Sequence, residues 1–210
     1  MASIGDILDE FFSPFSSEKL WVMPENDDYT NRVRAWDPVI QAVARIKNNV
    51  ATFCDVWATT YMSDAAWTPG KTDSPKPGAY RDFSPSPKGT DPETCKSAFI
   101  VYVATKAARM LPGQAMPATQ TANLYTCSIG SFNIYTTVDK IDCAKKTATM
   151  NFWMYNSMSK RSFGRFAENA VFALCGMKTQ YMWWNWVENI EWTAGGVKTL
   201  PKPAGSGGWS

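Results

Sequence analysis

The sequence contains no histidine among its 210 residues, and this absence excludes several kinds of chemistry. Without imidazole there is no Ser-His-Asp triad, no Cys-His nucleophile pair and no histidine-ligated metal. Glycine-rich phosphate loops are also missing, so neither the dinucleotide fingerprint nor the P-loop is present. We therefore expect no cofactor, no metal and a protein that works without catalysis.

Long apolar runs, a basic leader and paired cysteines are missing as well. No stretch approaches 18 apolar residues, so we expect no transmembrane segment. The first 15 residues are acidic where a signal peptide would be basic. The five cysteines are odd in number and include no Cys-x-x-Cys pair, which argues against a disulfide framework and a structural zinc site. These features predict synthesis in a reducing cytoplasm, with release by lysis or by an injection machine left open.

The charge is nearly balanced but unevenly distributed. A net charge of +2 does not favour nucleic acid as a partner, although basic residues flank the aromatic segment 152–155. Residues 1–36 carry seven acidic and three basic side chains, whereas residues 140–165 carry one acidic and six basic ones. These regions either are two solvated faces or meet between copies in a homo-oligomer.

Hydrophobic periodicity predicts an α+β fold, with N-terminal helices packed on a C-terminal antiparallel sheet or β-sandwich. A helix over about 38–60 follows the N-cap Asp37 and carries one apolar seam. A second helix begins after Asp91 and ends at about 111, and a short one covers about 3–12. Period-two alternation predicts a hairpin of strands 132–138 and 147–155, a strand over 180–193, and shorter pieces at 20–23 and 124–129.

The chain is expected to form one domain over residues 1–204. It is interrupted by a loop at 63–91 that holds five prolines and three glycines, and loops of this length are usually functional or mobile. Residues 205–210 resemble a linker followed by the start of an affinity tag, so we exclude them from fold reasoning.

Ten tryptophans are the outlier of the composition, and they direct attention to one face of the predicted sheet. Aromatic and amide side chains alternate on the polar-side positions of two strands: Trp153, Tyr155, Tyr181, Trp183, Asn151 and Asn185. Aromatic rings stack on the C–H face of sugars and amides bind hydroxyls, so an exposed platform there would suit a glycan. The same residues would suit a lipid headgroup interface or a subunit contact, and a covering layer would make them core.

Three functions remain open from the sequence. The leading interpretation is a non-enzymatic recognition protein of the toxin, effector or defence type, which contacts a glycan or a membrane through the aromatic face. The first alternative is a structural protein that self-assembles through its acidic N-terminal segment and basic 140–165 region. The second is a carboxylate-dependent hydrolase, for which Glu188 and Glu191 have an odd spacing unsuited to one strand face, and Glu168 is a further acid without a defined partner.

Overall fold

The computed structural model describes residues 4–64, 67–72, 74–84, 92–108, 124–161, 172 and 175–201. Within them the protein has an α+β fold, as predicted, with helices packed on one six-stranded sheet. The predicted tag at 205–210 and the acid Glu168 lie outside the described residues. The single-domain boundary at 204 stays a prediction.

The described residues contain five helices and one further helical turn. They are α1 (Ile4–Phe11), α2 (Asp28–Arg34), α3 (Asp37–Thr52), α4 (Cys54–Thr60), α5 (Pro92–Ala108) and α6 (124–128). The single helix predicted over 38–60 is two helices, because the backbone at Phe53 leaves the helical region with φ −122° and ψ 42°. The strand predicted at 124–129 is wrong, since that segment forms α6.

The strands form a mixed sheet in the order β1-β5-β4-β3-β2. Their bounds are β1 (Lys19–Met23), β2 (Tyr80–Ser84), β3 (Phe132–Asp142), β4 (Thr147–Met158), β5 (Gln180–Thr193) and β6 (Gly196–Leu200). β1 is parallel to β5 and pairs with its first half, while β6 is antiparallel and pairs with its second half. The predicted hairpin is confirmed as β3 and β4, which pair from Asn133–Tyr155 to Asp142–Thr147 with one bulge after Val138.

The main core lies between one sheet face and the helices. The apolar seam of α3 (Val39, Val43, Ile46, Val50) is buried, as its spacing predicts. It faces the even-numbered residues of the central strands, such as Phe152 and Trp186, whose rings stack at 5.3 Å. The helices therefore cover one face of the sheet, and the residues of the other face pack in a separate cluster.

Two disulfides cross-link the helices and the sheet, which corrects the sequence-based expectation of no disulfide framework. Cys54–Cys143 joins the start of α4 to the β3–β4 turn, and Cys95–Cys127 joins α5 to α6. Cys175 is a free thiol, and burial raises its pKa. The prediction failed because the partners are 89 and 32 residues apart, and pairing over such distances is set by the fold and not by local spacing.

The proline- and glycine-rich segment is partly ordered into the sheet. The predicted loop at 63–91 contains β2, and Met62 extends the same edge of β3 through a bridge to Val138. The described residues that follow Met62 and precede β2, namely 63–64, 67–72 and 74–79, include the side chains that pack on the second face of the sheet; we call them the covering loop. Gly78 closes this loop at φ +72°, where an added Cβ would lie 2.5 Å from the Thr60 carbonyl oxygen.

Candidate functional site

The six residues predicted as a binding platform lie on the second face of the sheet, opposite the helices. β4 and β5 are neighbours, as the platform requires, and the register places Tyr155 opposite Trp183 and Trp153 opposite Asn185. Tyr181 lies beyond Trp183 on the same face, and Asn151 lies beyond Trp153. The sheet therefore brings the predicted site residues together.

The covering loop buries one half of this face. Trp67 packs edge-on against Trp153 and Trp183, with ring centroids 5.0 and 5.4 Å away. The indole N–H of Trp183 donates a 2.8 Å hydrogen bond to the Gly70 carbonyl oxygen. Trp183 is fully buried and Tyr155 is 7% exposed, so the expectation of an open platform is wrong for these two residues.

A buried lysine fixes the covering loop to the sheet edge. Lys76 is 4% exposed, donates to the Ser63 hydroxyl at 3.1 Å and lies 5.7 Å from the centre of the Trp67 ring. Burial lowers the pKa of its ammonium group, and the carboxylates of Asp139 and Asp64 oppose that shift. The ammonium group thus holds Ser63 and Trp67, two residues of the loop, in a fixed position.

The other half of the face is open and carries an uncharged polar surface. We call it the amide strip; it consists of Asn151, Asn185, Asn189 and Thr149, with Trp153 at one end. All five side chains are partly exposed. Asn185 Nδ2 donates to Asn151 Oδ1 at 2.7 Å, and Thr149 Oγ1 donates to Asn189 Oδ1 at 2.8 Å.

These internal bonds orient the amides and leave half of their capacity free. Among the described residues, no partner is bonded to Asn185 Oδ1, Asn151 Nδ2 or Asn189 Nδ2. The strip therefore presents one acceptor and two donor groups with fixed spacing along neighbouring strands. Amides in this state match hydroxyl groups, which both donate and accept.

Unpaired buried groups lie between the amide strip and the covering loop. Tyr135 Oη, Thr137 Oγ1 and Trp153 Nε1 are inaccessible to solvent and have no hydrogen-bond partner within the part of the chain that the structure describes. Tyr135 pairs with Trp153 and Thr137 pairs with Asn151 in the β3–β4 register, so the three groups are adjacent. A buried polar group without a partner is costly. Two further groups of this kind, Thr136 Oγ1 and Trp184 Nε1, lie on strands β3 and β5 at even-numbered positions, on the face that packs against the helices.

At its far end, the amide strip runs into a shallow groove of about 350 Å³. Thr149 and Asn189 belong to both, and Lys140, Asp142 and Leu200 complete the groove's rim. The accessible surface therefore runs from the Trp153 ring, across the amides, to a concave end.

A second groove of about 480 Å³ lies at the helix side of the sheet, and we call it the charged groove. Its floor is the part of β5 around Trp186 and Glu188, which neither β1 nor β6 pairs with. Its walls are Arg34 at the end of α2 and the α3 stripe that includes Ile40 and Lys47.

Glu188 is the centre of an ion network in the charged groove. Its carboxylate pairs with Lys47, lies 3.6 Å from Arg34 and accepts the Trp186 indole N–H at 3.0 Å. Thr199 donates a further bond to it at 3.3 Å. Because these donors fill its carboxylate oxygens, Glu188 has a structural role in the charged groove.

The arrangement of acids gives little support to a hydrolase. Glu188 is the one carboxylate that lines the charged groove, and Glu191 is an exposed residue outside that lining. A glycosidase needs two carboxyl groups facing one cleft. Among the described residues no cluster of acids and cysteines is suited to a metal ion. In the same part of the chain, none of the helices has the length and apolarity to cross a bilayer.

Several residues of these sites were not predicted from the sequence. Trp67 and Lys76 lie in the proline-rich segment, where no periodicity marks them as structural. Thr149 and Asn189 follow the same alternation as the predicted six residues, so extending the pattern by two positions along β4 and by four along β5 would have added them. Arg34 and Lys47 converge on Glu188 only through the tertiary fold.

A scan against protein-family models and searches of the curated proteins and of the solved structures found no match to this chain.

Proposed function

We propose that the protein is a non-catalytic recognition protein that binds a glycan on the amide strip. The observation that carries this proposal is the set of oriented, half-bonded amides beside a partly exposed tryptophan, Trp153. A sugar ring stacked on Trp153 would place its hydroxyls at Asn185 Oδ1 and Asn151 Nδ2. The concave end near Asn189 would accommodate a second sugar unit.

The chemistry of the strip favours an uncharged polyhydroxylated ligand. Its four polar residues carry no charge, and the exposed Lys140 borders them only at Thr149, so the strip itself, unlike its concave end, offers no ammonium or guanidinium group to an anionic lipid headgroup. The carboxylates known to cleave glycosides have no counterpart on the strip, which supports binding without hydrolysis. Of the six residues predicted from the sequence, Trp153, Asn151 and Asn185 would contact the ligand. Trp183 and Tyr155 lie beside them under the covering loop, and Tyr181 lies beyond Trp183, away from the strip.

The two disulfides support a setting in which such a ligand is met outside the reducing cytosol. Disulfides persist in oxidising compartments and are rare in the cytosol. Glycans are abundant at cell surfaces, so this setting agrees with the proposed ligand class. The cytoplasmic localisation expected from the cysteine pattern therefore loses its main support.

The proposal is tested on an array of neutral oligosaccharides, followed by calorimetric titration of any glycan that binds. We expect Asn185→Ala and Asn151→Ala each to weaken binding about fivefold, because each removes a hydrogen-bonding group worth about 1 kcal/mol. The matched control is Asn48→Ala, which removes an exposed asparagine from α3 on the other side of the sheet. Absence of binding to every glycan, or an equal loss in the control, would overturn the proposal.

A further inference from the structure

Phe15 is the most exposed large apolar side chain among the described residues, at 91%. It lies in a turn of residues 13–16 that connects α1 to β1. The nearest described exposed apolar residue along the chain is Val22, at 45%. An isolated exposed side chain is common on protein surfaces, so exposure alone says little about Phe15; its backbone setting says more.

The turn that carries Phe15 is held rigidly. Phe15 N–H donates to Ser13 Oγ at 3.1 Å, and Ser16 N–H donates to the Ser13 carbonyl oxygen at 3.1 Å. Gly176 N–H donates to the same carbonyl at 2.8 Å, and Lys178 N–H donates to Ser16 Oγ at 2.9 Å. Gly176 lies so close that an added Cβ would be 2.8 Å from Ser13 and Ser16. The backbone that carries the ring is thus held in a fixed position, which lowers the entropy that the turn loses on binding.

The charged groove has the size and the walls to receive such a ring. Its volume is about 480 Å³, and Val39, Val43 and the 48% exposed Ile40 form an apolar wall. Burying one aromatic side chain removes about 150–250 Å² from water, which is the largest contribution a single residue makes to an interface.

The charges beside the ring and beside the groove are complementary. Glu18, three residues after Phe15, is exposed and has no partner among the described residues. Arg34 lines the groove, where it forms long ion pairs with Glu188 at 3.6 Å and Glu25 at 3.7 Å; it makes no hydrogen bond to any described residue, so its N–H groups can take a further carboxylate. Glu18 of one copy and Arg34 of another are therefore suited to pair when the ring is docked.

The ring and the groove of one molecule are too far apart to meet. The turn is bonded at residue 178, just before β5, whereas the groove floor is at Trp186 and Glu188 further along the same strand. At about 3.3 Å per residue this separation is roughly 25–30 Å. Docking must therefore occur between two molecules, and the two contact surfaces are different patches.

We propose that this protein self-associates head to tail, with Phe15 of one copy inserted in the charged groove of a second copy and Glu18 paired with Arg34. A contact between two different patches does not close on itself as a two-fold dimer does, and it generates chains or rings. The ligand of this site is thus a second copy of the same chain, and the inference is independent of glycan binding on the opposite sheet face.

The test is sedimentation of the full chain at rising concentration, with variants in each half of the contact. We expect weak oligomers in the wild type, with a Kd of about 1 mM or tighter, and a shift to monomer of at least about 30-fold in Kd for Phe15→Ser. Ile40→Asp places a charge on the apolar wall of the groove and should block docking from the other side of the contact. Ala44 is also exposed on that wall, and Ala44→Glu is a second variant should Ile40→Asp misfold. Phe53→Ser, a 53% exposed residue of neither patch, is the matched control and should associate like the wild type.

Mixing the two single variants gives the sharpest result. The Phe15→Ser chain keeps its groove and the Ile40→Asp chain keeps its ring, so a 1:1 mixture should form heterodimers and nothing larger. A wild type that stays monomeric at about 1 mM, variants that associate normally, or a mixture that stays monomeric while the wild type associates would each overturn the proposal. Association lost with Phe15→Ser but kept with both groove variants would assign the ring to another surface and overturn it too.

Discussion

Reduction of the two disulfides is expected to remove most of the protein's stability. In the chain-entropy model a cross-link stabilises by restricting the unfolded chain, with a contribution that grows with the logarithm of the loop length. The loop closed by Cys95–Cys127 spans 32 residues, which corresponds to about 3.7 kcal/mol. The loop closed by Cys54–Cys143 spans 89 residues and encloses the first loop. With the inner bond in place its effective length is shorter, and its contribution is about 4.2 kcal/mol.

Together the two bonds contribute about 8 kcal/mol, against a net stability of about 5–15 kcal/mol for a typical domain. The assay is urea denaturation, monitored by tryptophan fluorescence with and without a phosphine reductant. With a slope of about 2–3 kcal/mol per molar urea, the midpoint should fall by about 3–4 M. Replacing both members of one pair by serine should cost about half of this, while Cys175→Ser, which breaks no bond, serves as the control. Identical midpoints in both conditions would refute the reasoning and the pairing itself.

Four further perturbations follow from single contacts. Trp183→Phe removes the hydrogen bond to Gly70. The free energy of unfolding should fall by about 1 kcal/mol, and amide hydrogen exchange within residues 67–72 should become faster. Unchanged exchange would contradict the role given to that bond. Glu188→Gln leaves Lys47 and Arg34 without the carboxylate they share. The free energy of unfolding should fall by about 3 kcal/mol. A loss below about 0.5 kcal/mol would show that the network contributes no more than a surface ion pair. Gly176→Ala places a Cβ 2.8 Å from the Ser13 carbonyl oxygen. The free energy of unfolding should fall by about 1–3 kcal/mol, measured by thermal unfolding. An unchanged midpoint would contradict the close approach. Burial lowers the pKa of Lys76 in the folded protein below its ordinary value. Between the folded pKa and about 10.5 the unfolded chain therefore binds more protons than the folded one. The free energy of unfolding, compared with that of Lys76→Met, should rise with pH in that window, and a fall would refute the assignment.

The parts of the fold governed by local patterns could be predicted from the sequence. The α3 seam has a period set by the helix itself, and the β3–β4 hairpin and β5 alternate with period two, so each of these elements was found. The residues of the amide strip share that alternation, which is why Asn151, Asn185 and Trp153 were identified as surface candidates before their positions were known.

The parts that depend on contacts between distant segments could not be predicted. The covering loop shows no periodicity, and only the tertiary structure reveals that Trp67 packs on Trp183 and that Lys76 lies over the Trp67 ring. The β6 strand is five residues long and mostly exposed, so it lacks a hydrophobic pattern. The disulfides join cysteines whose separation carries no local signal.

The charge distribution shows the same division. The sequence left open whether the acidic excess of residues 1–36 is a solvated face or a contact between copies, and several of these acids pair within the chain: Glu10 with Lys19, Asp28 with Arg32, and Asp9 with Lys106. Glu18 is the acid of that segment left exposed and without such a partner among the described residues. The proposed association therefore depends on the Glu18 carboxylate and the Phe15 ring, and not on the charge of the whole segment.

The most direct test of glycan recognition is a titration of isotope-labelled protein, followed through the side-chain amide signals of its asparagines by nuclear magnetic resonance. With the neutral oligosaccharide that binds best on the array, we expect the signals of Asn151, Asn185 and Asn189 to shift together, with the same affinity as the calorimetric titration. The Asn48 signal on α3 should stay in place. Shifts confined to residues of the charged groove, or an unchanged amide strip at saturating glycan, would contradict the account.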